Sequence, residues 1–515
     1  MIGKWKLYWV SPLFVVALAG CSLAGNLSQP VATPSPSISS PSLFSSPAGV
    51  SSEAATNTPA PTVPPATDTP GPTAAPAAPS DAVIVNTFVQ EVYPFGQAGN
   101  CSLGAAIQSV LTQQAVDQCH LPPGSSTVYL PAGTYTLTEA DNAPAVLFGK
   151  LAQPNREGLP PAGLPLVASQ LTILGNGSTI QRTGPVKFGI FQVFVGGNLT
   201  LRDLTITGGD VSDEHDGNGG ALSIYGGSVT LDHVTLTGNE AVTGGAIENH
   251  PGGAGQAVGL TLVDTVVTKN LSLSTGGGID NNLASVTIRN SQISYNVSKD
   301  PDFGGGGIYN DGGQVTLDDS QLVGNLAREG AGLYNENGIA NISNQSVVSG
   351  NVATEFHAFI PHGGGGVNNI GDLVGSADTP AEVTIQDSFV IGNQAAGSTG
   401  GGIYNQAKLT VTDSVLANNI AGAGGGLFND SQGVGSLTGS CILQNQAVSV
   451  TPKGFGNGVE NDNDLAFDAS GNWWGIAAGP GNSVTRGVHT ASILNAAPGI
   501  CAASLPTPFP TPTNP

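Results

Sequence analysis

The sequence predicts an all-β protein, a right-handed parallel β-helix of about ten to twelve coils with a short N-terminal capping helix. A coil here means one full turn of the solenoid. Three observations support this fold: a repeat with a base period of 26 residues, a glycine-rich composition, and polar residues at fixed positions of the repeat. Helical repeats need long runs of helix formers, and a β-propeller blade needs about 40 residues. The sequence has no such runs of helix formers, and its period is too short for a propeller blade, whereas one β-helix coil fits the period.

Residues 304–325, GGGGIYNDGGQVTLDDSQLVGN, show the repeat unit, which recurs about eight times. Aligned copies give three polar columns. The first column contains Asn249, Asn281, Asn310, Asn335, Asn369, Asn405 and Asn429. The second contains Asp203, Asp232, Asp264, Asn290, Asp319, Asn344, Asp387 and Asp413. The third contains Asn239, Asn270, Asn296, Asn325, Asn351, Asn393, Asn419 and Asn445.

The third column shows the period most clearly, with steps of 31, 26, 29, 26, 42, 26 and 26 residues. Stacked coils place equivalent residues about 4.8 Å apart. We therefore expect the asparagines to form amide ladders at corners, where asparagine also tolerates left-handed backbone conformations. The apolar positions between the columns should stack as an aliphatic core, formed by Ile279, Ile308, Leu333, Val367, Ile403 and Leu427.

Composition limits the partners of this chain. It has 36 acidic and 14 basic residues, for a formal net charge of −22. Nucleic-acid binding needs clustered lysine and arginine, so a nucleic-acid partner is not expected. We expect a monomer.

The N-terminus has the order of a secretory signal. Lys4 and Lys6 precede a short apolar run, and Leu18-Ala-Gly-Cys21 closes it. The run is too short for a transmembrane anchor, which needs about 20 residues. The closing residues resemble the bacterial lipobox, which implies a signal peptide over residues 1–21, lipidation at Cys21, and attachment to the cell membrane on the cell surface.

Composition changes divide the rest of the chain. Residues 22–80 form a linker rich in Pro, Ser, Thr and Ala that is predicted to be disordered. An N-terminal cap and first strands are expected over residues 81–138, the β-helix over 139–448, and a C-terminal cap over 449–505. Residues 506–515 repeat the linker composition and are predicted to be disordered.

The N-terminal cap has a helical apolar period over residues 102–111, followed by an alternating strand pattern over residues 126–137. CSLGAAIQSV followed by VYLPAGTYTLT resembles the opening of bacterial right-handed parallel β-helix proteins of the pectate-lyase-like class. Those sequences usually carry Arg and Glu at the positions of Gly104 and Ala105, so a salt bridge built on that pair is absent.

Two further motifs resemble known β-helix families. The GGAIEN sequence at residues 244–249 is similar to the repeats of chlamydial polymorphic outer-membrane proteins, although the phenylalanine of that motif is missing. The GNWWG sequence at residues 471–475 resembles the closing motif of pectate-lyase-like β-helices and predicts a C-terminal cap. Trp473 or Trp474 stacking on a sugar ring is the alternative interpretation.

The cysteine count is consistent with export. Four cysteines remain after Cys21, and an even number in an exported chain favours disulfides. Three pairings are open. Our preferred pairing is Cys101–Cys119 with Cys441–Cys501, because each bond would then close one end of the solenoid.

Candidate catalytic residues lie in the variable loops before the glycine runs, which should share one edge of the rod. The candidates there are Asp213, His215, Asp216, Glu355, His357 and His362, with Asp210, Glu214, Glu240, Asp300, Asp302 and Glu329 at the same phase. Paired carboxylates would suit a glycoside hydrolase. Solvated loops are also commonly acidic, and that interpretation stays open.

The second column offers an alternative site. Asp232, Asp264 and Asp319 are the candidate metal ligands there, with calcium the expected cation, and turn capping is the competing interpretation. The glycine runs lack the lysine of a phosphate-binding loop, and no other cofactor is expected.

These features predict a non-catalytic, lipid-anchored cell-surface protein with a binding, adhesion or envelope role, whose partner is a polysaccharide or a surface protein. The alternative is an extracellular polysaccharide lyase or glycoside hydrolase that uses the acidic and histidine-bearing loop edge. The signature motifs of polygalacturonases and pectate lyases are not complete in this sequence.

Overall fold

The computed structural model describes residues 77–96, 99–141, 145–147, 150–152, 160–213, 217–252, 259–301, 303–354, 363–371, 381–448, 456–485 and 487–502. The predicted signal peptide, Cys21, nearly all of the predicted linker and the C-terminal tail lie outside these residues. Among the residues described, no helix is long and apolar enough to cross a membrane.

The fold is a parallel β-helix with three faces, which confirms the predicted fold class. Within the described residues, a long face contains 22 strands, a middle face ten and a short face eight. These strands correspond to about nine coils, slightly fewer than the ten to twelve predicted. Successive strands of each face pair in parallel, so the coils stack in register.

The long face contains Ala82–Ile84, Thr127–Tyr129, Thr134–Leu137, Gln170–Arg182, Asn198–Thr207, Ser228–Thr237, Gly259–Val263, Val266–Thr268, Ser285–Arg289, Gln292–Ser294, Gln314–Asp318, Gln321–Val323, Ile339–Ser343, Val347–Ser349, Glu382–Gln386, Phe389–Ile391, Lys408–Thr412, Val415–Ala417, Val434–Thr438, Cys441–Leu443, Phe467–Asp468 and Val488–His489.

The middle face contains Phe191–Phe194, Leu222–Tyr225, Ile247–His250, Ile279–Asn282, Ile308–Asp311, Leu333–Glu336, Val367–Ile370, Ile403–Asn405, Leu427–Asn429 and Val459–Asn461. The short face contains Glu240–Ala241, Leu271–Ser272, Val297–Ser298, Leu326–Ala327, Val352–Ala353, Gln394–Thr399, Ile420–Ala423 and Gln446–Ala447. An antiparallel pair, Ala145–Leu147 with Lys150–Ala152, lies in the irregular region before the regular coils.

Each coil begins at a glycine corner, where the chain passes from the short face to the middle face. Gly305 has a φ of +79°, which L-residues with a side chain rarely adopt. Gly277 is restricted by contact instead, because a Cβ there would lie 2.4 Å from the carbonyl oxygen of Gly306 in the next coil. The glycine runs therefore let neighbouring corners stack at backbone distance.

The predicted aliphatic core is confirmed. The middle-face core positions Ile279, Ile308, Leu333, Val367, Ile403 and Leu427 are all fully buried and share one continuous cluster. Alternation within each strand explains this, since every second side chain points into the rod.

The asparagines of the first and third columns lie inside the corners and are nearly or fully buried. Asn325 Nδ2 donates to Asn351 Oδ1 at 3.0 Å, and Asn310 Nδ2 donates to Asn335 Oδ1 at 2.7 Å. In the third column the left-handed conformation expected for asparagine belongs to the preceding residue, for example Gly324 at a φ of +62°. That conformation turns the chain so that the asparagine amide points inward.

The N-terminal end is closed by the predicted helix, Leu103–Thr112, with Ser102 as its N-cap. A Cβ on Gly104 would lie 2.9 Å from the carbonyl oxygen of Glu91, so the arginine found there in similar sequences would not fit. A short 3₁₀ helix, Gly481–Ser483, and a helical turn, Gly499–Ala502, lie at the C-terminal end.

Both preferred disulfides are present. Cys101 is bonded to Cys119, and Cys441 is bonded to Cys501. The first bond joins the segment before the capping helix to the segment after it. The second ties the terminal helical turn to a strand of the long face.

Candidate functional site

A continuous row of polar side chains follows the bend of the long face, where each coil changes direction. The residues at the bend have positive φ values and point to solvent. We use the name polar stripe for these bend residues together with the residue that precedes each of them. The residues at the bend are Asn176, Asp203, His233, Asp264, Asn290, Asp319, Asn344, Gln345, Asp387 and Asp413. Asparagine and aspartate tolerate this conformation better than most residues, which explains their recurrence.

The structure corrects one position of the second column. Asp232 pairs in register with Arg202 and Val263, so it lies one residue before the bend. His233, with a φ of +55°, occupies the bend instead. The sequence alignment placed an aspartate in this column because most other copies have Asp or Asn there. The register is set by backbone pairing, which cannot be read from the sequence.

Hydrogen bonds between coils relieve the repulsion among the carboxylates of the polar stripe. Asn344 Nδ2 donates to Asp318 Oδ1 at 2.6 Å, and Gln345 Nε2 donates to Asp387 Oδ1 at 2.6 Å. Asn290 donates in the same way to Asp264. Between Asp264 and Asp387, amide side chains are therefore interspersed with carboxylates, and these hydrogen bonds fix the side chains that make them.

A histidine with two aspartates forms the most strongly charged part of the stripe. His233 Nδ1 lies 2.6 Å from Asp232 Oδ1, and Arg202 Nη2 lies 2.5 Å from Asp232 Oδ2. Burial opposes ionisation of Asp232, but the hydrogen bonds from His233 and Arg202 outweigh it and lower the pKa of this carboxyl. The hydrogen bond to Asp232 raises the pKa of His233 in turn.

The side chains of Asp232, His233 and Asp264 could also hold a metal ion. Ligand atoms of Asp232, His233 and Asp264 lie within 4.8 Å of one another. Two of the predicted metal candidates, Asp232 and Asp264, are thus brought together, whereas Asp319 lies further along the stripe. Arg202 already neutralises Asp232, so the cluster alone does not indicate a bound cation.

The polar stripe borders two shallow, open depressions. One has a volume of about 530 Å³ and is lined by Arg289, Asn290, Asp318, Asp319, Asn344, Gln345 and Asp387. The other, of about 470 Å³, is lined by Asn176, Gly177, Asp203, Leu204, Thr205, His233 and Thr235. Both lie on the same bend, so they form parts of one elongated surface along the rod.

The predicted catalytic edge is only partly described. His215, Asp216, Glu355, His357 and His362 lie outside the described residues, as do Glu214 and Asp302. Asp213 is present and makes an ion pair with Lys187, with Nζ 2.7 Å from Oδ1. Asp210 joins the same cluster through Arg182, at 3.3 Å. This part of the edge is therefore a charge-paired cluster.

Two other members of the edge also have partners. Asp300 accepts hydrogen bonds from the Ser274 hydroxyl at 2.8 Å and from the Phe303 backbone N–H at 2.7 Å. Glu329 lies 3.5 Å from the side-chain nitrogen of Asn368. Glu329 is also buried, so solvation does not explain its place in the loop.

A second row, which sequence reasoning missed, runs along the outer side of the middle face. We call it the middle-face row. Its members stack in register, and most are buried. They are Gln192, Ser223, Glu248, Asp280, Tyr309, Tyr334, Asn368, Tyr404, Phe428 and Glu460. The sequence did contain a sign of this row. The position between the apolar residue and the asparagine of each repeat varies, and it carries both carboxylates and aromatic rings.

The carboxylates of this row have unusual surroundings. Burial, followed by the nearby charge of Asp280, raises the pKa of Glu248 well above its ordinary value. Burial also raises the pKa of Asp280 to about 7, against a hydrogen bond from Thr275 and with a further contribution from Asp311. Burial likewise raises the pKa of Glu460 to about 7.

The aromatic members pack on one another. The rings of Tyr309 and Tyr334 stack with centroids 5.3 Å apart, and those of Tyr404 and Phe428 stack at 5.8 Å. These rings are 1–9% exposed, so they are unavailable to stack on a ligand. At the C-terminal end Trp474 is also buried, and Trp473 packs near Cys441 and Cys501. Both tryptophans therefore contribute to the cap.

Comparison with solved structures finds the A-module of the mannuronan C-5 epimerase AlgE6 from Azotobacter vinelandii. It aligns with 15% sequence identity and a TM-score of 0.40, over 77% of this chain and 94% of that chain. The similarity concerns the fold alone. No protein-family model matches the chain. No curated protein matches it either.

Proposed function

We propose that this chain is an exported, lipid-anchored β-helix protein that binds an extended polysaccharide along the polar stripe. The observation that supports this proposal is the row itself. It is exposed, continuous across the coils and bordered by two open depressions on one bend of the rod. Sites for small molecules usually enclose most of the ligand, whereas these two depressions are shallow and open to solvent.

The chemistry of the stripe suits hydroxyl-bearing sugars. Each coil presents carboxylate oxygens, amide groups or a guanidinium at intervals of about 4.8 Å, so donors and acceptors recur along the rod. Hydrogen bonds between coils already fix several of these side chains, including Asp318 and Asp387. Side chains that are ordered before binding lose less conformational entropy when the ligand arrives.

The charge of the stripe selects among glycans. Seven aspartates, Asp203, Asp232, Asp264, Asp318, Asp319, Asp387 and Asp413, outnumber the two arginines, Arg202 and Arg289. A polyanionic chain would be repelled by this surface and by the net charge of the molecule. We therefore expect a neutral polysaccharide, or one bearing amino groups.

The lipobox-like sequence before Cys21 supports the location of the protein at the membrane. The linker that follows would then hold the β-helix away from the lipid surface. Cys21→Ala should release the protein from the membrane fraction. Equal retention of the variant and the parent protein would contradict lipid anchoring.

Binding can be tested with the full-length protein in detergent, titrated against neutral, amino-bearing and anionic polysaccharides. His233→Gly and Asp319→Gly remove stripe side chains and still accept positive φ. We expect each to weaken binding of the neutral or amino-bearing glycan. Lys269→Gly is the matched control, because Lys269 has a φ of +56° at the neighbouring corner and lies outside the stripe.

Two results would contradict the proposal. Glycan binding that is unchanged in both stripe variants would place the contact elsewhere. Turnover of a polysaccharide that is abolished by His362→Ala would favour the alternative, a lyase or hydrolase that uses the loop edge.

A further inference from the structure

Glu248 and Asp280 form a buried pair of carboxylates on consecutive coils of the middle face. They pair in register across the strands that carry them, and they are 7% and 3% exposed. In the described part of the chain neither carboxylate makes an ion pair. Two like charges in this position would be costly without a compensating cation or proton.

The groups around the pair are rich in oxygen. The Thr275 hydroxyl donates to Asp280 Oδ2. The Thr243 hydroxyl lies near Glu248 and donates to Asn218 Oδ1 at 2.8 Å. The side chain of Asp311 is close enough for its charge to act on Asp280. Two carboxylates and two hydroxyls therefore lie close together here, contributed by two glycine corners and the middle face.

One atom of this cluster has no partner. Glu248 Oε2 is buried and makes no hydrogen bond. A buried carboxylate oxygen normally finds a donor, because leaving it unsatisfied costs desolvation energy. An orphaned acceptor beside a second carboxylate is the arrangement expected where the partner is a cation.

We propose that Glu248 and Asp280 bind a hard divalent cation of the calcium type, with the hydroxyls of Thr243 and Thr275 beside it. Oxygen ligands of mixed charge suit calcium and magnesium, whereas the zinc and copper ligands histidine and cysteine are absent from this set. The cation would join two neighbouring coils of the solenoid. This site is separate from the polar stripe and does not depend on the polysaccharide proposal.

The test uses the full-length protein, stripped of metal with EDTA and titrated with calcium and then magnesium at pH 8. We expect about one calcium ion per chain by calorimetry and a rise in Tm that saturates with calcium. Glu248→Gln and Asp280→Asn keep the side-chain shape and remove a charge, and each should weaken calcium binding about tenfold or more.

Asp232→Asn and Asp319→Asn are the matched controls, because both lie on the polar stripe. They should retain calcium binding. A parent protein whose Tm does not respond to either cation would overturn the proposal and identify the pair as carboxyls that share a proton. Loss of calcium binding in Asp232→Asn, with Glu248→Gln unaffected, would also overturn it and place the ion at the cluster of Asp232, His233 and Asp264.

Discussion

Asn325→Leu should strongly destabilise the β-helix, because Asn325 is fully buried and makes four hydrogen bonds through its side chain. Its Nδ2 donates to Asn351 Oδ1 and to the Ile293 carbonyl, both at 3.0 Å. Its Oδ1 accepts from the Asn296 backbone N–H at 3.0 Å and from Asn296 Nδ2 at 3.1 Å. Asn325 therefore links the coil before it to the coil after it.

The size of the effect follows from the groups that lose a partner. Leucine cannot accept a hydrogen bond, so two donors of Asn296 are left unsatisfied inside the corner. Each unsatisfied buried group costs about 1–3 kcal/mol, which gives a loss of roughly 2–6 kcal/mol in the free energy of unfolding. The apolar surface that leucine adds offsets part of this cost.

Urea denaturation followed by circular dichroism measures the loss, and hydrogen exchange at the Asn296 amide reports it locally. Asn341→Leu is the matched control, since Asn341 is exposed on a long-face strand. We expect the control to change stability by about 0.5 kcal/mol or less. If the two variants have the same denaturation midpoint and the Asn296 amide stays protected, the asparagine ladder does not hold the coils together.

Three further predictions concern the buried pair, the glycine corners and the disulfides. In metal-free buffer, Asp280→Asn should stabilise the protein above pH 7 by up to about 4 kcal/mol. The raised pKa of the Asp280 carboxyl means that the folded state loses stability as the pH rises from about 4 to 7, and asparagine removes that loss. Unfolding midpoints at pH 4 and pH 8 measure this, and an equal effect at both would contradict it. Gly277→Ala should cost roughly 2 kcal/mol or more, since the new Cβ would lie 2.4 Å from the Gly306 oxygen. Gly259→Ala, with nothing within 4 Å, is its control, and equal melting temperatures would refute the steric argument. Replacing both Cys441 and Cys501 by serine should cost up to about 4 kcal/mol, because the bond spans 60 residues, against about 3 kcal/mol for the pair 18 residues apart, Cys101 and Cys119. Unfolding curves that reducing agent does not shift would show that neither bond contributes.

The candidate surfaces were less predictable than the fold. The polar stripe follows from the recurring Asp and Asn at the bend, but the alignment placed Asp232 where the structure has His233. A shift of one residue in the alignment changes which side chain faces solvent at the bend. The pairing of neighbouring strands fixes the correct alignment. The middle-face row was missed because its members share no residue type. Only their register shows that Glu248 lies beside Asp280.

The sequence by itself determined the coil, because its period, glycine corners, aliphatic core positions and asparagine columns are local features repeated many times. It also indicated both disulfides, since each was expected to close one end of a solenoid. Tertiary structure alone decided which polar residues meet. Residues 32 positions apart, such as Glu248 and Asp280, become neighbours only when the coils stack, and the length of each intervening loop sets which pairs come into contact. Burial of such a pair, and the pKa shifts that follow from it, arise from that stacking.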